Sequence, residues 1–270
     1  MSKRRRKKQT RSLQGIIIAL IVIVGGWLIS GGQPSDISNV IQNISQNTLN
    51  HTKNVSSNDE LAKLNYHSGD QSFIYVNHNK ANLDPAKWKI NEVRYANLDS
   101  LNRTSRGNLA YLESRNLASD ENRVRQYVEP TAWHQKFVDR QPIINRGHLI
   151  AYSISKGISS DGRYNPRDSS GDQNNPKNLF TQTAFSNQRV QTIYEQKIRD
   201  SLKAGKRIIF YSKPIFRDNE LMARGIHLEA LSTDKSLNFN VYLFNVQPNV
   251  KFDYATGRST IDRSMKVPEP

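Results

Sequence analysis

The feature that most limits what this chain can fold into lies at its start. Seven Lys and Arg residues fall within the first eleven positions (MSKRRRKKQTR), and no charge then appears from residue 12 to residue 35. A polybasic run cannot enter a protein core and a long apolar run is unstable in water, so both stand apart from any soluble domain that follows. The strictly apolar core, residues 16–29, has 14 residues, the size of a signal-peptide centre. Extended to residues 13–32 it has 20, enough to cross a bilayer. Basic residues ahead of it, residues 1–12, would remain cytoplasmic and send the remainder outside. Only the small residues Ser30, Gly31 and Gly32 follow, with no A-x-A cleavage site. The expectation is a single-pass signal-anchor in the cell membrane, with the lipid bilayer as its partner and the C-terminal part extracellular. Secretion after signal cleavage is the alternative, and a buried helix with a basic cap is a third reading.

The charge extends beyond the head. With 39 Lys+Arg against 24 Asp+Glu the chain carries +15, and removing the seven of the head leaves 15 − 7 = +8 for the rest. A cationic body suits a polyanionic partner, whether nucleic acid or an anionic surface. The absence of cysteine excludes disulfide scaffolds, thiolate metal sites and a cysteine nucleophile.

Residues 31–60 are dominated by Asn, Ser, Gln and Thr without an aromatic, which reads as a flexible tether. A short amphipathic helix through Val40, Ile41 and Ile44 competes with that reading. One domain is expected over residues 61–262, leaving a short tail at 263–270. Strands are expected at residues 72–76, 207–211, 226–231 and 237–246, the last with Leu237, Phe239, Val241 and Leu243 alternating to one face. The strongest helix spans residues 184–204 and stops at Gly205. Strands mixed with few helices indicate an α+β domain.

Six histidines are present, none in HExxH or a similar ligand spacing, and neither GxSxG nor a Walker loop occurs. His148 closes the run Asn145-Arg146-Gly147-His148, where glycine would let backbone or phosphate come close and arginine offers a fork for phosphate oxygens. A surface-turn histidine is the plain alternative. Downstream, Asn187, Gln191, Glu195 and Arg199 recur every four residues and so share one drifting helical stripe, with Val190, Ile193, Tyr194 and Ile198 on the flank that can face a core. Glu195 and Arg199 alone would be a surface ion pair worth a few tenths of a kcal/mol.

The segments N-R-G-H-L, then N-P-K-N-L-x-x-Q-T-A-x-x-N-Q, then Y-E-x-K-I-R together resemble the DNA/RNA non-specific endonucleases, whose core is a ββα-metal unit. The resemblance runs from about residue 93 to residue 260 and is nearest to membrane-attached bacterial DNA-entry nucleases of competence systems. It implies a central antiparallel sheet flanked by helices around the ββα core. It also implies a Mg²⁺-dependent endonuclease, with Mn²⁺ as a substitute, acting on double- and single-stranded DNA and on RNA. His148 would be the general base, and Asn187 the one direct ligand of the metal. Glu195 would reach the metal through water. Arg146 and Arg199 would neutralise phosphate charge, and Asn178 would position the phosphate or the histidine. Lys177 and Trp133 would join Arg146 and Arg199 in contacting nucleic acid, and a DNA-uptake machinery is an implied partner.

One position departs from the family pattern: Asn145 stands where aspartate is usual, keeping a hydrogen-bond acceptor but losing a charge. The loop over residues 159–173 is also long for the family. A catalytically weakened surface nucleic-acid-binding protein is the second reading. A basic protein that holds anionic polymers by charge alone is the third.

Overall fold

The computed structural model describes Val55 and residues 57–270; the basic head, the apolar run and nearly all of the expected tether lie outside the described residues. Among the described residues no helix is long and apolar enough to cross a membrane. In chain order the elements are helix α1 (Asn58–Ala62) and strands β1 (Phe73–Tyr75), β2 (Glu92–Arg94), β3 (Asn108–Leu112), β4 (Phe137–Val138), β5 (Gln141–Pro142), β6 (Ile144–His148) and β7 (Leu179–Thr183). There follow a π-helical turn (Ser186–Gln191) continued by helix α2 (Thr192–Lys203), then β8 (Ile208–Ile215), β9 (Gly225–Ser232), β10 (Asn238–Phe244), β11 (Val250–Asp253) and β12 (Arg258–Ile261).

Six strands form an antiparallel sheet in the order β1-β10-β9-β8-β3-β2, so the domain is of mixed α and β structure around a central antiparallel sheet. Phe239, Val241 and Leu243 do share one face, packed with Phe210, Ala230, Val190, Ile198 and Leu202 in the main core. The alternation accounts for that one face only. On the opposite face Tyr242 and Phe244 are buried as well, against Val55, Leu61 and Val76. Helix α1 therefore belongs to the fold although its first three residues fall in the stretch read as tether. Ser57 and Glu60 form a capping box that starts it, and Leu61 is its buried anchor. The C-terminal stretch is likewise tied down, Lys266 accepting from the Gly69 amide at 2.9 Å.

The expected helix is present, but its first full turn is π. Val190, Tyr194, Ile198 and Leu202 form its buried stripe, each contributing about 1.5–3 kcal/mol by leaving water. Ile193, expected on that stripe, is 38% exposed because it falls one residue off the four-residue repeat. Gly205, at φ +77, supplies the left-handed turn that ends the helix.

Strands β6 and β7 pair only with each other, as a hairpin outside the large sheet, with His148 opposite Leu179 and Asn145 opposite Gln182. Asn245, the residue after β10, joins hairpin to sheet. Its Nδ2 donates to the carbonyls of Thr181 (3.1 Å) and Ala223 (3.0 Å), and its Oδ1 accepts from the Thr183 amide at 2.7 Å. The Thr183 hydroxyl then caps the helix by accepting from the Ser186 amide at 3.1 Å.

Candidate active site

The hairpin and the helix that follows it bring several of the sequence-marked residues to one cleft. An open cavity of about 410 Å³ is lined by Asn145, Arg146 and His148 from β6, Asn187 from the π turn, Glu195 from α2, and Trp133. The π turn widens the helix by one residue per turn, and such turns are common at functional sites. It directs Asn187 at the hairpin, where its Oδ1 accepts from Asn145 Nδ2 at 3.1 Å and its Nδ2 donates to Gln182 Oε1 at 3.0 Å.

A chain of amides ties these groups together. Gln182 Nε2 donates to Gln191 Oε1 (2.9 Å), while Gln191 Nε2 donates to the His148 carbonyl (3.0 Å) and to Glu195 Oε1 (2.9 Å). Glu195 in turn faces Arg199 at 3.6 Å. The four-residue stripe is therefore a connected network. Glu195 is 13% exposed, and burial lifts its pKa against the lowering effect of Gln191 and Arg199.

Gly147 has a different purpose from the one the sequence suggested. A Cβ there would lie 2.4 Å from Gln182 Oε1 and 2.6 Å from Gln182 Cβ, so the missing side chain makes room for Gln182 and not for phosphate.

His148 is buried, and its Nε2 lies 3.0 Å from the Gln173 carbonyl. A carbonyl can only accept, so Nε2 carries the proton and the lone pair is on Nδ1. The Gln126 amide, 3.3 Å from the same Nε2, must then present its oxygen. Desolvation lowers the His148 pKa to about 4, the Gln173 carbonyl opposing and the Arg123 charge assisting. The imidazole is thus neutral near pH 7, the form a base requires.

The remaining residues fall on either side of the cleft wall. Arg146 donates from Nε to the Val128 carbonyl at 2.5 Å and stacks over Trp133 at 4.6 Å. Asn178 is buried, its Oδ1 accepting from the Ile150 amide and its Nδ2 donating to the Ile150 carbonyl, each at 2.9 Å. It fixes the chain two residues beyond His148. Arg199 is held by Ser153 at 3.1 Å, and neither it, Asn178 nor Lys177 lines the cleft. Arg123, Gln126 and Gln173 were not marked by the sequence. They come from loops and act by long-range contact, for which residue spacing carries no signal.

No group of three or more His, Asp or Glu side chains converges on a point among the described residues. The donor set in the cleft, one amide oxygen with a buried carboxylate behind it, fits a hard divalent cation that keeps most of its waters.

Comparison with known families matches residues 42–263 to the DNA/RNA non-specific endonucleases. The chain belongs to that family. Among solved structures, NucA from Streptococcus agalactiae with magnesium bound is 28% identical, at a TM-score of 0.62 over 82% of this chain and 96% of that one. NucA with no metal bound is 29% identical, at 0.59 over 82% of this chain and 97% of that one. The Sda1 nuclease with bound zinc shares the fold, at 19% identity and a TM-score of 0.51 over 69% of this chain and 95% of that one. The non-specific endonuclease described here is accordingly a metal-dependent enzyme that hydrolyses nucleic acid.

Proposed function

We propose that the enzyme is a Mg²⁺-dependent, sequence-non-specific endonuclease of DNA and RNA, with His148 as general base and Asn187 as the direct metal ligand. The observation that carries this reading is the Gln173 carbonyl on His148 Nε2, which leaves the basic lone pair on Nδ1 of a histidine that lines the same cleft as Asn187. His148 would take the proton of the attacking water as its oxygen adds to phosphorus. The 3′ oxygen leaves, and the product carries a 5′-phosphate. A Mg²⁺ held by Asn187, with Glu195 reached through its water, would polarise the phosphate and stabilise the leaving oxygen. Arg146 would neutralise phosphate charge from the cleft wall. Arg199 would act at one remove, by holding Glu195. Contacts of this kind address the backbone and read no base, so little sequence preference and a strong salt dependence follow.

The basic head and apolar run support a location outside the cytoplasmic membrane, either anchored or released. There the substrate would be extracellular nucleic acid, and DNA uptake is one process such an enzyme serves.

The test uses the full-length chain in mild detergent on supercoiled plasmid and on RNA. Mg²⁺-dependent loss of both is expected. EDTA should stop it, and His148→Ala and Asn187→Ala should each slow it by about 10²–10⁴. Cleavage that survives EDTA or His148→Ala would overturn the proposal.

A further inference from the structure

The loop over residues 159–173 is tied to β2, the edge strand of the sheet, where Glu92 and Arg163 form an antiparallel bridge. Gly162 accepts from the Val93 amide at 2.8 Å, and a Cβ on Gly162 would lie 1.8 Å from the Val93 carbonyl. Asp168 is fixed through its backbone, accepting from the Gly157 amide at 2.9 Å. Asp168, whose Oδ1 accepts from the Ser170 hydroxyl at 3.4 Å, Asp172 and the Tyr95 hydroxyl lie near enough to act on one another electrostatically. Asn175 hydrogen-bonds the Asp172 carboxylate, but Asp172 Oδ2 and the Tyr95 hydroxyl are shut off from solvent with no hydrogen-bond partner. No Lys or Arg forms an ion pair with either carboxylate among the described residues.

A buried carboxylate oxygen and a buried hydroxyl left unpaired are costly, and a second carboxylate beside them adds repulsion. Burial, with Asp168 adding to it, pushes Asp172 up to about 6, and after burial both carboxylates push the Tyr95 hydroxyl higher. A bound cation would remove all of these costs at once. Two carboxylates with neutral oxygens form the hard donor set that Ca²⁺ accepts, at six to eight ligands and flexible geometry.

We propose that Asp168, Asp172 and the Tyr95 hydroxyl form a second divalent-cation site, suited to Ca²⁺, at the root of the segment that positions His148. Asp172 is followed directly by Gln173, whose carbonyl holds His148 and whose side chain grips the neighbouring loop at Asn122 O (2.7 Å) and Val124 N (3.2 Å). Asn174 extends the grip to Arg125 O (3.0 Å) and Tyr127 N (3.0 Å). An ion at Asp172 therefore orders the peptide that sets the base and the loop bearing Arg123 and Gln126. The link to catalysis rests on the reading of His148 above; the site itself does not.

The experiment uses the full-length chain carrying Asn187→Ala, so that the cleft metal is weakened and cleavage is not the readout. Tb³⁺ bound beside Tyr95 should emit when tyrosine is excited, and Ca²⁺ should displace it. A hundredfold excess of Ca²⁺ over its dissociation constant should raise Tm by about 5–10 °C. Asp172→Asn, or Asp168→Asn if the first does not fold, should abolish both signals. No sensitised emission and no Tm rise in the parent, or signals that survive both variants, would overturn the proposal, whatever becomes of the nuclease reading.

Discussion

The side-chain amide of Asn145 donates to Oδ1 of Asn187 at 3.1 Å, so the residue that departs from the family pattern touches the atom proposed to bind metal. Asparagine offers that oxygen a proton, whereas aspartate would offer the cleft a negative charge. An added carboxylate attracts a nearby cation by on the order of 1–4 kcal/mol. Asn145→Asp should therefore lower the Mg²⁺ concentration for half-maximal cleavage at least about fivefold. A Mg²⁺ titration with unchanged or weaker half-saturation would refute this.

The acid limb of the rate profile should lie low. A base works until pH falls through its pKa, and that of His148 is depressed to about 4 by burial, with Arg123 assisting. kcat/KM should stay level from neutral pH to well below the ordinary histidine value of about 6.5. Arg123→Gln should move the limb upward, because a repelling charge is gone. A limb at an ordinary histidine value in the parent, unmoved by Arg123→Gln, would contradict the assignment.

The same shift predicts acid lability. The folded-state pKa of His148 is below its unfolded value, so in acid the unfolded chain binds the extra proton. Stability from this group is complete above about 6.5 and is lost as pH falls toward 4, by up to about 3 kcal/mol. Urea unfolding at pH 7 and pH 4.5 should show a smaller loss for His148→Asn than for the parent. Equal losses would remove His148 from the account.

Gly147→Ala tests the hairpin. The new methyl would meet Gln182 at 2.4–2.6 Å, and Gln182 is the amide that joins Asn187 to Gln191. Overpacking of this kind costs about 1–3 kcal/mol. Cleavage should fall further than stability does, since the displaced group orients Asn187. A variant with parental Tm and activity would show that the space is not needed.

The sequence was most legible where function demands local spacing. Asn187, Gln191, Glu195 and Arg199 lie on one continuous helical stretch, so their four-residue repeat shows in the chain, and the end of helix α2 at Lys203 falls next to the expected glycine stop. The π turn was not, because nothing in Ser186–Gln191 marks an i→i+5 bond. Strands β6 and β7 are short and buried on a polar sequence, INRGH and LFTQT, which hides the alternation that marks a half-buried strand. The double burial of β10 was likewise hidden, since it depends on α1 closing over Tyr242 from 180 residues away in the chain.

Because the β6–β7 hairpin shares no ladder with the six-stranded sheet and Asn245 is a principal tie between them, catalytic alignment and bulk stability are partly separate properties of this molecule. A chain built this way can let mutations drift through its large sheet while its chemistry stays constant. It can equally retune its chemistry through one side chain, without rebuilding the scaffold.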